Sequence, residues 1–110
     1  MQPLVSINGH IQPQDAAAIS PFDRGFLLGD GLFETILVGR GGPWYLVRHL
    51  TRLAHGAQML GISLPAELET WVDELIRLAL ESTTDNIALR ITVSRGGTSP
   101  HPPAGPESIS

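Results

Sequence analysis

Alternating apolar and polar residues predict strands in two parts of the chain. In LFETILV (32–38) the odd-numbered residues share one face and the even-numbered residues share the other, because successive side chains of a strand point to opposite sides. This run ends at GRGGP, and the apolar WYLV that follows predicts the return strand of a hairpin. In IALRITVSR (87–95) apolar residues at 87, 89, 91 and 93 alternate with smaller or polar ones, which predicts a half-buried strand.

Another hairpin is predicted near the start of the chain. Asn8-Gly9 separates two short extended runs in LVSINGHIQ, and these residue types tolerate the positive φ angles that a two-residue turn requires. Residues 12–22 contain Pro and Ala without a clear period, so they are expected to connect this hairpin to the next element.

Two segments have helical periodicity. The first is expected to begin near Arg48 and to end at Gly61, with apolar residues at 50, 53, 54, 57 and 60. The second is expected to begin at Pro65, a residue favoured in the first turn, with apolar residues at 68, 71, 72, 75, 76 and 79. The order ββ, ββ, α, α, β predicts an α+β domain with a mainly antiparallel sheet and two helices packed on one face.

Residues 1–95 are predicted to form this small domain. After Arg95 the sequence GGTSPHPPAGPESIS has no periodicity and few groups to bury. Residues 96–110 are therefore expected to be a flexible tail or the start of an interdomain linker.

Composition excludes several classes of protein. Of the 110 residues 42% are hydrophobic, yet every apolar run is broken before it reaches membrane-spanning length, which favours a soluble globular protein. The first ten residues lack the basic and apolar regions of a signal peptide, so a cytoplasmic location is expected. The net charge of −4, without a dense basic cluster, makes nucleic acid an improbable partner.

Two residue types are missing, and each absence limits the chemistry. Without cysteine the chain cannot form disulfides, thiolate nucleophiles or Cys-based zinc sites. The chain has seven arginines and no lysine, so it has no lysine side chain that could form a Schiff base.

The glycine-rich stretch DRGFLLGDGLFET (23–35) raises three alternatives. A dinucleotide loop would need a strand before the glycines and a helix after them, whereas here a loop precedes and a strand follows; the lysine of a P-loop is also missing. The carboxylates Asp23, Asp30 and Glu34 do not have the spacing of a calcium loop. The stretch is therefore better explained as scaffold whose carboxylates bond backbone N–H groups.

A cationic helix face is the main candidate site from spacing alone. Arg48, Arg52 and His55 recur at i, i+4 and i+7 and are predicted to lie away from the apolar stripe. Such a face is either a solvated surface or a site for phosphate or carboxylate, which guanidinium groups bind through two parallel hydrogen bonds. Arg90 and Arg95 are expected to be surface charges, and the four histidines are too scattered to predict a metal site. His49 is expected at the start of the helix, and no Ser-His-Asp arrangement can be recognised.

The combination of DRGFLLGDGLFET, RHLTRL and LRITVSRGG, in this order, resembles the small N-terminal domain of the fold-type IV (class IV) PLP-dependent enzymes. This group includes D-amino-acid transaminase, branched-chain aminotransferase and aminodeoxychorismate lyase. The resemblance extends from INGH to about Arg95. It implies a glycine-rich segment that leads into a strand lining the substrate side of the cofactor cleft.

The resemblance also implies roles for individual residues. The arginine of HLTRL is Arg52, which would bind the cofactor phosphate, whereas Arg48 matches no cofactor ligand. Phe33 and Thr35 would face the substrate, with Leu28 nearby and the loop of Arg95 at the substrate cleft. The implied cofactor is pyridoxal 5′-phosphate (PLP), the implied substrates are an amino acid and a 2-oxo acid, and homodimerisation is expected.

Two departures from the family pattern shape the functional prediction. The Schiff-base lysine of the family belongs to a larger C-terminal domain, so the 110-residue chain alone is expected to be catalytically incomplete. D-amino-acid transaminases carry an Arg and a His after RG, whereas RGGTSPHPP offers only His101, and the continuation typical of the lyases is missing too. Transaminase and lyase therefore both stay open, beside a non-catalytic domain that binds an anion or a partner protein.

Overall fold

The computed structural model describes residues 3–96. Strands β1 (Leu4–Ile7) and β2 (His10–Pro13) form a two-stranded antiparallel sheet, and a single 3-10 turn (Gln14–Ala16) follows. Asn8 and Gly9 adopt φ angles of 51° and 86°, which confirms the predicted hairpin turn. Residues 97–110, including His101 and nearly all of the predicted tail, lie outside the described residues.

A second sheet contains three antiparallel strands in the order β4-β3-β5. Strand β3 (Gly31–Gly39) lies in the centre, flanked by the two-residue β4 (Gly42–Pro43) and by β5 (Ile87–Ser94). The alternation predicted for β3 is confirmed: Glu34, Ile36 and Val38 are buried, whereas Phe33, Thr35 and Leu37 are exposed. The face that carries these buried residues is the inner face of the sheet, and it forms one side of the hydrophobic core.

Two long helices, α2 (Leu46–Leu60) and α3 (Leu68–Ser82), complete the core on that inner face. Leu53 and Ala57 of α2 pack against β3, while Val72 and Ile76 of α3 close the remaining side of the core. Gly61 ends α2 at φ 71°, as its sequence position predicts. Helix α3 begins at Leu68, three residues later than predicted, because residues 65–67 form a turn in which the Leu68 N–H donates to the Pro65 carbonyl.

The prediction of a strand at WYLV is wrong. The Trp44 N–H still donates to the Leu37 carbonyl, but Tyr45 then turns the chain at φ 58° and the next two residues begin α2. Leu46 extends the helical spacing of Leu50 and Leu53, so the burial of its apolar side outweighs the strand propensity of the segment. A short helix that the sequence pattern does not predict, α1 (Arg24–Leu28), lies within the glycine-rich stretch.

Candidate functional site

The carboxylates of the glycine-rich stretch were predicted to bond backbone N–H groups, and this is confirmed for Asp23, whereas Asp30 and Glu34 bond arginine side chains. Asp23 caps α1 by accepting a hydrogen bond from the Phe26 N–H, and it also accepts one from the buried Ser94 hydroxyl at 2.6 Å. Gly29 ends the helix in the left-handed conformation at φ 68° and turns the chain toward β3. Asp23 therefore ties the start of this stretch to the end of β5.

A second clamp fixes the loop before β3. Asp30 accepts hydrogen bonds from Arg24 Nε at 3.0 Å and from Arg95 Nε at 2.8 Å. Burial alone would raise the pKa of Asp30, but the hydrogen bonds from Arg95 and Arg24 outweigh it and lower the pKa. Because Arg95 also donates to the Leu60 carbonyl, it joins this loop to the C-terminal end of α2.

The outer face of the sheet presents an aromatic and cationic surface to solvent. Phe33 is half exposed, and the Arg90 guanidinium lies 4.0 Å from the centre of its ring. Thr35 lies opposite Arg90 in the β3–β5 register. Both Phe33 and Arg90 line a depression that reaches Gly29 and Ser94, so strand alternation and α1 together shape one open cleft.

The inner face of β3 holds an ionic cluster at the edge of the core. The Glu34 carboxylate is buried and accepts two hydrogen bonds from Arg52 of α2, one from Nε and one from Nη2, both at 2.9 Å. Its Oε1 also lies 2.7 Å from His49 Nδ1, one turn earlier on the helix. The hydrogen bonds from Arg52 and His49 hold the pKa of Glu34 below its ordinary value, and the bond to Glu34 raises the pKa of Arg52.

Although its inner edge is bonded to Glu34, the Arg52 side chain is 73% exposed. With Tyr45, Arg48 and His49 it lines an open depression at the N-terminal half of α2. Arg48 lies 5.4 Å from the centre of the Tyr45 ring, on the same side of the helix. Two guanidinium groups, a phenol and an imidazole therefore surround this depression, a set of donors suited to an oxyanion.

The lowered pKa of Glu34 leads to a prediction about acid stability. A carboxylate whose folded pKa lies below its unfolded value contributes stability above the unfolded pKa and loses it as the pH falls through the folded pKa. We expect the free energy of unfolding to decrease once the pH drops below about 4.5, the ordinary pKa of a glutamate carboxyl. Urea unfolding of the wild type and of Glu34→Gln at pH 6 and pH 3 measures the effect. The variant should lose less stability between these pH values, and an equal loss in both proteins would contradict the assignment.

The structure brings the predicted site residues together in two groups. Phe33 and Thr35 share the outer face of β3, where Phe33 lines the open cleft, whereas Arg52 belongs to the separate depression on α2. Leu28, the last residue of α1, is exposed beside the glycine-rich turn. The Arg95 side chain is mostly buried, and its guanidinium donates hydrogen bonds to Asp30 and to the Leu60 carbonyl. It therefore holds the loop and does not project from the sheet.

Sequence patterns alone did not assign Glu34, His49 and Arg90 to these groups. A carboxylate on the otherwise apolar face of β3 was the signal for Glu34, because such a group requires a cationic partner when it is buried. The signal for Arg90 was its place on the polar side of an alternating strand. Within residues 3–96, no group of three or more His, Asp or Glu side chains could hold a metal ion.

The sequence matches a known protein family over most of its length. The family model described as "Amino-transferase class IV" covers residues 31–109. The chain belongs to this family. The class IV match begins at the first residue of β3 and includes Glu34, Arg52, Arg90 and Arg95.

Individual relatives of the class IV family have more than one activity. The chain is 32% identical over 96 residues to aminodeoxychorismate lyase from Bacillus subtilis, covering 84% of this chain and 32% of the relative. It is 30% identical over 107 residues to D-alanine aminotransferase from Staphylococcus epidermidis, covering 93% of this chain and 38% of the relative. It thus spans about a third of the length of these curated relatives.

The class IV fold is also found among solved structures. A hypothetical aminotransferase from Mycobacterium tuberculosis in a PLP-bound form superposes with a TM-score of 0.71 at 29% identity, over 87% of this chain and 36% of that one. A form with α-ketoglutarate and pyridoxamine 5′-phosphate (PMP) bound gives a TM-score of 0.70 at 30% identity, over 84% and 34% of the two chains. In the described part of the present chain, no helix has the length and apolarity needed to cross a bilayer.

Proposed function

We propose that residues 1–95 form the N-terminal small domain of a PLP-dependent class IV aminotransferase, which transfers an amino group between an amino acid and a 2-oxo acid. Residues 96–110 would lead toward a larger domain that bears the Schiff-base lysine. The observation that carries this proposal is the exposed guanidinium of Arg52, oriented by Glu34 in a cationic depression. The family membership and the PLP- and PMP-bound forms of a similar protein support it.

The residues around Arg52 fit a phosphate group. Two of the three guanidinium nitrogens donate to Glu34, and the third, Nη1, makes no hydrogen bond to any residue in 3–96. Arg48 adds a second positive charge to the same depression, and His49 and Tyr45 add polar groups at its edge. A phosphate bound here would be anchored by charge and by directional hydrogen bonds together.

The outer face of β3 would form the substrate side of the site. Phe33 and Thr35 provide an aromatic and a hydroxyl-bearing surface, and Arg90 offers a cation that could hold a substrate carboxylate. Leu28 would border this surface, and Arg95 would act through the loop that it holds against Asp30. PLP, when bound, supplies an electron sink for the carbanion formed on the amino acid.

Catalysis would require groups that this chain does not contain. Since its 110 residues include no lysine, neither the Schiff base nor the proton transfer that a lysine performs can come from them. We therefore propose that the chain alone is inactive, and that the complete enzyme is a cytoplasmic homodimer. A PLP-dependent lyase is the second candidate, favoured by the 32% identity to the Bacillus subtilis enzyme.

Replacing Arg52 by Gln tests the proposal in the protein that the natural gene encodes. We expect the dissociation constant for PLP to rise roughly 10- to 150-fold, because a hydrogen-bonded ionic contact to phosphate contributes about 1.5–3 kcal/mol. Absorbance titration measures it, with Arg77→Gln, which removes a surface arginine bonded to Glu81, as the matched control.

Mass spectrometry after borohydride reduction gives the second arm of this test. One pyridoxyl adduct on a lysine beyond Ser110 is expected, and no adduct on the gene-encoded protein would favour a non-catalytic anion-binding or partner-binding domain. Assays with D-alanine and α-ketoglutarate, and with aminodeoxychorismate, then separate transaminase from lyase. An Arg52→Gln variant that binds PLP as tightly as wild type would contradict the phosphate site.

A further inference from the structure

We propose that Glu34 is a positioning residue that fixes the guanidinium of Arg52 in the orientation required for binding phosphate. This inference rests on the proposed function, because it assigns a task to a residue that does not itself touch the cofactor. It assigns Glu34 a role in affinity that is separate from its contribution to folding.

The geometry restrains Arg52 from one side only. Its side chain is mostly exposed, so packing against neighbours does little to hold the flexible stem. The two parallel hydrogen bonds to the Glu34 carboxylate, both 2.9 Å long, fix the plane of the guanidinium and the direction of Nη1. Glu34 itself is held by its place on β3 and by the contact of 2.7 Å with His49.

The neighbours of Glu34 show why a carboxylate is needed for this task. Ile36, two residues along the same face of β3, is fully buried in the core. An apolar residue at position 34 would suit that surface, but it would leave the Arg52 head group free to sample many rotamers in water. Phosphate binding would then have to order the arginine, which lowers affinity.

Glu34 also has an effect of opposite sign on a bound phosphate. Its negative charge repels the anion, although the exposed surroundings of Arg52 screen this repulsion. If charge alone mattered, removing it would tighten phosphate binding. If positioning dominates, shortening the side chain while keeping its charge must weaken binding. Glu34→Asp and Glu34→Gln therefore separate the two effects.

The experiment compares PMP with pyridoxamine, which lacks the phosphate, on the gene-encoded protein. Both ligands bind without a Schiff base, so their affinities report contacts that do not depend on the lysine. We expect Glu34→Asp and Glu34→Gln to raise the dissociation constant for PMP about 10-fold, by analogy with the loss of metal affinity when a residue that orients a metal ligand is changed. The dissociation constant for pyridoxamine should change less than 2-fold. Glu81→Gln, which removes the carboxylate of an exposed pair, is the control for net charge.

Each result decides between explanations. An equal loss of affinity for PMP and pyridoxamine would mean that Glu34 is merely structural. Tighter PMP binding in Glu34→Gln, with no change in Glu34→Asp, would mean that Glu34 acts only through its charge. Either result overturns the proposal. Arg52→Gln should lose PMP affinity selectively. If it does and the Glu34 variants behave as wild type, the positioning role fails while the proposed function stands. If Arg52→Gln is also unchanged, the phosphate site itself is wrong.

A measurement on the unmodified protein keeps the proposal testable if the Glu34 variants fold poorly. The Arg52 Nε–H donates to a buried carboxylate, so its proton should exchange slowly with water. A ¹⁵N-correlated spectrum at pH 7.5 should show this signal, assigned by its loss in Arg52→Gln, and adding PMP should leave it protected. Exchange as fast as that of the exposed Arg40 would overturn the proposal.

Discussion

A Gly31→Ala variant should unfold at a much lower urea concentration than wild type. A Cβ at position 31 would lie 2.3 Å from the Val93 carbonyl oxygen and 3.0 Å from the Ser94 Cα. Both are backbone atoms of β5, the strand that pairs with Gly31, so the clash cannot be relieved by rotating a side chain. We expect a loss of about 3 kcal/mol in the free energy of unfolding. The corresponding fall in melting temperature is roughly 12–24 °C.

Gly41→Ala is the matched control for this loss. A Cβ there meets no heavy atom within 4 Å, and the backbone does not have the positive φ that excludes alanine. Its free energy of unfolding should stay within about 1 kcal/mol of wild type and be slightly higher, because alanine restricts the unfolded chain. Equal behaviour of the two variants would show that β3 and β5 do not approach each other as closely as the structure has them.

Asp30→Ala should destabilise the protein by about 3 kcal/mol. This carboxylate is shared by Arg24 and Arg95, whose side chains are only 11% and 17% exposed. Removing this carboxylate takes a charged acceptor from two largely enclosed arginines at once, and breaking such an ionic cluster by removing one member is strongly destabilising. The loop that enters β3 should loosen as well, because only the two backbone hydrogen bonds of residue 30 remain to hold it: its N–H donates to the Arg24 carbonyl, and its carbonyl accepts from the Arg95 N–H.

The comparison for Asp30 is an ionic pair with the same chemistry at the surface. Glu81 accepts a hydrogen bond from Arg77 one turn earlier on α3, and both side chains are about 60% exposed. Glu81→Gln should change the free energy of unfolding by about 0.5 kcal/mol or less. Urea denaturation of both variants at pH 7 measures the difference. A loss in Asp30→Ala as small as that in Glu81→Gln would mean that solvent reaches the Asp30 cluster freely.

Sequence patterns predicted the parts of this fold that depend on local order. The alternation in LFETILV identified both faces of β3, and the Asn-Gly pair identified the first hairpin. WYLV was misassigned because its aromatic and β-branched residue types favour a strand. The helix forms because Leu46, after the turn at Tyr45, packs against the hydrophobic core. The core residues that it meets lie far from Leu46 in sequence.

The candidate site was predicted only in part, for a similar reason. The motif HLTRL singled out Arg52 by resemblance, but its partner Glu34 lies 18 residues earlier on another element. Spacing along a helix cannot reveal such a pair, because the contact exists only once α2 packs on β3. Arg95 is a different case. The resemblance implied that its loop lies at the substrate cleft, and in the structure its guanidinium is bonded to Asp30 and to Leu60.

Strand β3 places Phe33 and Thr35 on either side of Glu34 along the chain but on the opposite face. A single peptide unit therefore separates the residues proposed to contact substrate from the residue proposed to orient the phosphate ligand. Substitutions at 33 and 35 are expected to change the proposed substrate surface without altering the packing beneath Arg52. Under these proposed roles, a change in the residues that face the substrate would leave the phosphate anchor in place, and one-residue slippage of the β3 register would move both sets of side chains to the wrong face.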